Sequence, residues 1–202
     1  MLDSPDARTY RNFADLARAQ VRGRDYEISV RCRARSRVAV IAPHGGEIEN
    51  GTSEIATAIA AGEHNLYLFE GIRTTRNYFS LHLTSHLFDE PECLRLIAAC
   101  NIVIAIHGCG GAEPKVLLGG RDTALRDRLA GALMATAIGA QTSGHRFPAT
   151  QLSNICNRGA RQQGVQIELT DPLRRFPAAR AVVEATRAVL SLAEAAEPAA
   201  AV

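Results

Sequence analysis

Two stretches of the chain carry a continuous apolar run into a histidine and then into glycine: "VAVIAPHGG" at 38–46 and "NIVIAIHGCGG" at 101–111. Neither alternates with polar residues before its histidine, the pattern of a strand covered on both faces rather than one with a wet side. A sheet containing two such strands needs helices on both sides, and the intervening segments supply them. Tyr10, Phe13, Leu16 and Val21 space a short helix across 9–21. "TSEIATAIAAG" reads as a helix with Thr52 as N-cap and Gly62 as its stop, and "PECLRLIAAC" as a helix opened by proline. Leu125, Leu129 and Leu133 repeat every fourth residue, and Val182, Thr186, Val189 and Ala193 mark a last helix near 178–195. "YEISVRC", "NLYLFEG" (65–71), the alternating "LHLTSHL" (81–87) and "VQIELT" up to Pro172 complete the predicted strands.

Strands and helices that alternate in this way predict an α/β fold: three layers, α/β/α, around a mixed, mainly parallel sheet. At 202 residues one domain over 1–202 is expected, with 1–8 and 196–202 frayed. Lys and Arg number 23 against 21 Asp and Glu, a net +2 that predicts neither a nucleic-acid partner nor an anionic membrane surface. The arginine-rich run 21–37 is interrupted by acids and reads as a half-solvated strand. Five cysteines with no CxxC indicate neither a disulfide framework nor a zinc ribbon, but reduced thiols in a cytoplasm. No apolar leader and no run of about 18 apolar residues is present, so a cytoplasmic chain is expected, acting outside only after lysis. A monomer is expected.

In an open α/β sheet, functional side chains gather beyond the carboxyl ends of the strands. Three segments bring titratable groups there: His44 with Glu49, then His107, then Glu168. A turn that only reverses the chain requires neither His44 nor Glu49. Two histidines and a glutamate match a hydrolytic zinc site, which takes three protein ligands and keeps a fourth position open. A further carboxylate would then move the water proton, and Glu168 is the candidate. Other readings stand beside these. Each histidine alone is equally a hydrogen-bonded structural residue, and Glu168, opposite Val165, Ile167 and Leu169, is equally a solvent-facing strand residue. Cys109 offers a fourth ligand that would close the site into a structural zinc. His82 and His86 share one face of an extended segment, and His64 and His145 are predicted at the surface.

The phrases "APHGGEIENGTSEI", "FEGI", "LHLTSHLFDEP", "HGCGG", "VLLGGRD", "NICNRG" and "GVQIELT", in this order over about 9–176, resemble the poly-γ-glutamate hydrolase family, a phage and bacterial group. The resemblance implies a reduced carboxypeptidase-A-type zinc hydrolase that cleaves γ-glutamyl amide bonds. It further implies zinc on His44, Glu49 and His107, with Glu168 as the catalytic glutamate. Asn157 and Arg158 would hold a substrate carboxylate, since a guanidinium fork matches one bidentately, and His82 is a further substrate contact. Glu47 places a second acid on the same turn and competes with Glu49 for the ligand role. The expected partner is poly-γ-glutamate or another glutamyl or acyl-glutamate substrate. Competing functions are deacylation of a small N-acyl amino acid and a non-catalytic, zinc-stabilised phage-related binding protein.

Overall fold

Residues 10–196 are described in the structure, a computed structural model. The expected fraying at 1–8 and 196–202 lies, apart from Ala196, outside the described residues. Seven strands form one sheet: β1 (Tyr26–Arg31), β2 (Val38–Gly46), β3 (Asn65–Gly71), β4 (Ile102–Cys109), β5 (Lys115–Gly120), β6 (Gly139–Gln141) and β7 (Val165–Thr170), in the order β1-β3-β2-β4-β7-β5-β6. Strands β3, β2, β4 and β7 run parallel. β1 joins one side antiparallel, and β5 joins the other antiparallel to β7, with β6 parallel to β5. The sheet is therefore mixed and mainly parallel. The two apolar runs that end in histidine are β2 and β4, adjacent at its centre.

Alternate residues of these strands feed two separate cores, because successive side chains point to opposite faces. One face packs Val40, Ile104, Ile106 and Ile167 against α2 (Thr52–Ala60), α5 (Thr123–Met134) and α6 (Ala179–Ala195). The other packs Ile41, Phe69, Val103 and Ala105 against α1 (Phe13–Ala19), α3 (Asn77–Leu81) and α4 (Pro91–Ile97). The stripe Val182, Thr186, Val189 and Ala193 of α6 is buried, as its spacing predicts. No helix among the described residues is long and apolar enough to cross a membrane.

Several local expectations differ from what is found. "LHLTSHL" is not a strand: its first residue ends α3, 82–84 form an arm without regular structure, and 85–87 turn, with Leu87 N donating to Thr84 O at 2.7 Å. Leu81, Leu83 and Ser85 are buried alternately, which explains the period of two, but the backbone bonds elsewhere: Ser85 O accepts from Ile155 N, and Leu83 O meets His44. Strands β5 and β6 were not among the predicted elements. α2 begins at Thr52, with Gly51 in the cap position and no side-chain cap. His64, expected at the surface, is buried between Ser36 (3.1 Å) and Glu194 (3.5 Å), tying the end of α6 to the start of β2.

The core assignment has a direct test. Ile104→Ala, at a fully buried position of β4, is expected to cost about 2–5 kcal/mol in urea unfolding. Leu192→Ala, on the exposed side of α6, should stay within about 0.5 kcal/mol of the parent.

Candidate metal centre and cleft

Strand β2 delivers His44 and then turns sharply into α2. Gly46 and Gly51 make the turn possible: they adopt φ +58° and +92°, and a Cβ would fall 2.5 Å from Gly71 O in the first case and 1.9 Å from Arg174 O in the second. Thr52 Oγ1 donates to His44 O and Glu49 O (3.2 and 2.8 Å), and Glu49 N donates to His44 O (2.9 Å). The turn therefore folds Glu49 inward, where its Oε2 accepts from Gly108 N at 2.8 Å. Glu47 faces outward, is exposed and accepts from Asn50 Nδ2 at 2.7 Å.

His44, Glu49 and His107 meet in one buried cluster. His44 Nδ1 lies 3.1 Å from Glu49 Oε1 and 3.1 Å from His107 Nδ1, and His107 Nδ1 lies 3.5 Å from Glu49 Oε2. Ligands at about 2.0–2.1 Å from a tetrahedral zinc stand about 3.3 Å apart, so each of these separations suits a pair of zinc ligands, with Glu49 turning one oxygen to each histidine. The rings of His44 and His107 stand 69° apart with their centroids 4.8 Å from each other. His44 Nε2 donates to Leu83 O (2.8 Å), which leaves Nδ1 as the lone-pair nitrogen. His107 Nε2 reaches Ser85 Oγ at 3.4 Å.

His82 joins the edge of this cluster. Its Nε2 is 3.4 Å from Glu49 Oε1, and the donor atoms of His44, Glu49 and His82 lie within 4.8 Å of one another. The His82 ring packs on His44 at 4.0 Å and 32°, and on Tyr78 at 4.7 Å and 36°. Glu49 thus has two candidate histidine partners besides His44, of which His107 is the more deeply buried and lies with Nδ1 3.1 Å from that of His44. Cys109 lines the same cleft, its thiol raised by burial to about 11.

The electrostatics follow from burial of four titratable groups. Desolvation, reinforced by His82 and His107, lowers His44 to about 4 and keeps its imidazole neutral. Burial alone would raise Glu49, but the facing imidazoles of His44, His107 and His82 outweigh it and hold the carboxyl well below its usual range. For His107 burial lowers and the carboxylates of Glu49 and Glu168 raise, with the carboxylates prevailing.

Glu168 pairs with His107 in the β4–β7 register, so both side chains emerge at one level on the same face. It is buried, contrary to the solvent-facing alternative, and desolvation raises its carboxyl to about 7. A relay of amides orients it: Asn154 Nδ2 donates to Gln166 Oε1 (2.9 Å), and Gln166 Nε2 donates to Glu168 Oε1 (2.8 Å). A buried carboxyl poised near neutrality beside a donor cluster can both take and return a proton.

His44, Glu49, His82, His107 and Glu168 all line a cleft of about 690 Å³, floored by the strand ends and walled by the 78–86 arm and by segment 146–151. Asn157 and Arg158 are not brought there. Asn157 is buried and spent on backbone: Nδ2 donates to Ala149 O (2.7 Å) and Gln151 O (2.8 Å), and Oδ1 accepts from Gly164 N and Arg121 N. Arg158 is exposed, and its charge is felt by the Cys93 thiol in α4. Two participants escaped sequence reasoning. Gln166 shares the face of Glu168 by simple alternation, a usable signal; Arg146 sits in a long polar connection that offers none.

Comparisons agree with this architecture. The poly-gamma-glutamate hydrolase family model matches residues 10–188. The UPF0714 protein YmaC of Bacillus subtilis (strain 168) is 34% identical over 170 residues, 83% of this chain and 70% of the relative. Two further relatives from that organism are matched over only 51% and 65% of their own lengths. A solved bacteriophage poly-gamma-glutamate hydrolase superposes with TM-score 0.88 at 29% identity, covering 93% of this chain and 99% of that one. YNDL in a zinc-free apo form superposes with TM-score 0.84 at 28% identity, covering 91% and 98%.

The clamp role of Asn157 is measurable. Asn157→Ala orphans buried backbone groups and is expected to lower stability in urea unfolding by about 2–4 kcal/mol, with earlier proteolysis within 146–151.

Proposed function

The chain belongs to the poly-gamma-glutamate hydrolase family, and we propose that it hydrolyses γ-glutamyl amide bonds of poly-γ-glutamate, with zinc held by His44, Glu49 and His107 and with Glu168 as general base. The observation that carries this reading is the meeting of His44 Nδ1, His107 Nδ1 and the two Glu49 oxygens at 3.1, 3.1 and 3.5 Å, in a cleft that also holds a buried carboxyl raised to about 7. The zinc-free form of YNDL, a structural relative, supports the choice of metal. When bound, zinc supplies Lewis-acid polarisation of the scissile carbonyl and makes water acidic enough to react near neutral pH.

The protein's own groups account for the rest. Glu168 accepts a proton from the attacking water, whose oxygen adds to the amide carbonyl carbon. The C–N bond then breaks, and Glu168 returns the proton to the departing nitrogen, so a carboxylate and an amine leave. Gln166 keeps Glu168 Oε1 in place through both transfers. Leu83 O fixes the tautomer of His44, and Gly108 N fixes the carboxylate of Glu49, so the donors are preorganised. His82 packs over His44 and donates toward the Glu49 carboxylate, which makes it an orienting residue in this reading.

Two measurements check these roles. Glu168→Gln should retain wild-type zinc content while kcat on poly-γ-glutamate falls about 10²–10⁴-fold. His107→Ala should lose zinc affinity by more than the roughly 10–100-fold expected for an outer partner, whereas His82→Ala should stay within that range. The reverse ranking of the two histidines would reassign the third ligand.

A further inference from the structure

A γ-linked glutamate chain carries one free α-carboxylate per residue. On the amine side of every scissile bond that carboxylate is separated from the nitrogen by a single carbon. A cleft that accepts such a chain needs a cation close to the reacting amide, and the arginine expected from the sequence, Arg158, is outside the cleft.

Two arginines do line it, Arg146 and Arg174. Arg174 is committed: NH2 is paired with Asp171, NH1 donates to Asn50 O at 3.0 Å, and its stem covers Gly108, whose Cβ would fall 2.7 Å from Arg174 Cδ. Arg146 differs. Among the described residues no carboxylate lies within ion-pair distance of it, and its recorded contact is with the face of the Phe147 ring, 4.9 Å away. Its backbone is nevertheless fixed on both sides. His145 Nε2 donates to Leu118 O (3.1 Å), Phe147 N donates to His145 Nδ1 (3.2 Å), and Gly120 N donates to Pro148 O (2.9 Å). Gly119 admits this close approach, since a Cβ there would lie 2.3 Å from Phe147 O. Asn157 holds the next turn through Ala149 O and Gln151 O. A rigid mount thus carries an uncommitted guanidinium on the wall of the cleft that Glu168 shares, close enough for its charge to act on the Glu168 carboxyl.

We propose that Arg146 is the residue that recognises the substrate α-carboxylate next to the scissile amide, and that the Asn157 clamp exists to hold the segment bearing it. The assignment rests on the γ-glutamyl reading above. Its chemistry is that of a planar fork meeting a carboxylate bidentately, braced from behind by an aromatic ring. Arg146 is not the group that carries the proton, so its loss affects substrate binding far more than turnover.

The test is equilibrium binding, by calorimetry and with Glu168→Gln in every protein titrated so that the ligand stays intact, of a γ-linked glutamate pentamer and of the same pentamer with every α-carboxylate replaced by carboxamide, alongside hydrolysis of poly-γ-glutamate by the same set with Glu168 retained. Wild type, Arg146→Gln, Arg146→Lys and Arg158→Gln are compared at equal zinc content and thermal stability. Arg146→Gln is expected to weaken binding of the acid pentamer roughly 10- to 100-fold and to raise KM similarly with kcat changed only a few-fold. Lysine at 146 should recover part of the loss, Arg158→Gln should match wild type, and the carboxamide pentamer should bind wild type and Arg146→Gln equally. Unchanged binding in Arg146→Gln, or an equal loss in Arg158→Gln, overturns the proposal while leaving the hydrolase reading intact. Binding that depends on Arg146 without any hydrolysis by wild type overturns the hydrolase reading and keeps the carboxylate site. Neither binding nor hydrolysis by wild type overturns both.

Discussion

The carboxylate of Glu49 joins three segments that are far apart in the chain. One oxygen faces His44, on its own turn, and His82, on the arm after α3; the other takes the amide proton of Gly108 and faces His107, on the next strand. Burying an anion this completely is unfavourable unless its lost solvation is replaced, and here the Gly108 amide and three facing imidazoles replace it. That requirement explains the local peculiarities. The two left-handed glycines bring the turn back beneath β4, Thr52 locks it, and Leu83 leaves the sheet-forming pattern to offer its carbonyl to His44. The geometry that satisfies Glu49 also brings Nδ1 of His44 and Nδ1 of His107 to 3.1 Å from each other.

The parallel sheet supplies the precision. β2, β4 and β7 end at the same edge, and the register of His107 with Glu168 sets donor and proton carrier at one height. Rigid strands therefore hold the chemistry, while the loops form the walls, a division that suits a site needing fixed donors and an adaptable approach for a long substrate. Glu168 owes its raised affinity for protons to the same burial that positions it, and the Asn154–Gln166 relay limits its rotation.

The centre was largely legible because its residues sit on strong signals. His44 and His107 end apolar strands whose pattern is unambiguous, and Glu168 lies on a strand whose neighbours alternate. What was not legible depended on contacts across the fold. The arm "LHLTSHL" has the burial period of a strand without a pairing partner, so periodicity alone misassigns it. Asn157 and Arg158 were expected as a substrate pair through the family resemblance of "NICNRG", yet one is consumed by carbonyls and the other is exposed outside the cleft. Arg146 carries no sequence pattern at all, because its placement comes from hydrogen bonds to Leu118 and Gly120 on a distant strand. His64 shows the same effect, being polar in its neighbourhood and buried by a helix more than a hundred residues later.

The central claim is that the convergence of His44, Glu49 and His107 is a zinc site. Anomalous diffraction at the zinc edge, from crystals of the zinc-loaded protein, tests it without reference to any substrate. The account predicts one peak in the cleft, about 2.0–2.2 Å from Nδ1 of His44, Nδ1 of His107 and a carboxylate oxygen of Glu49. An empty cleft, or an ion bound through His82 with His107 turned away, would contradict it.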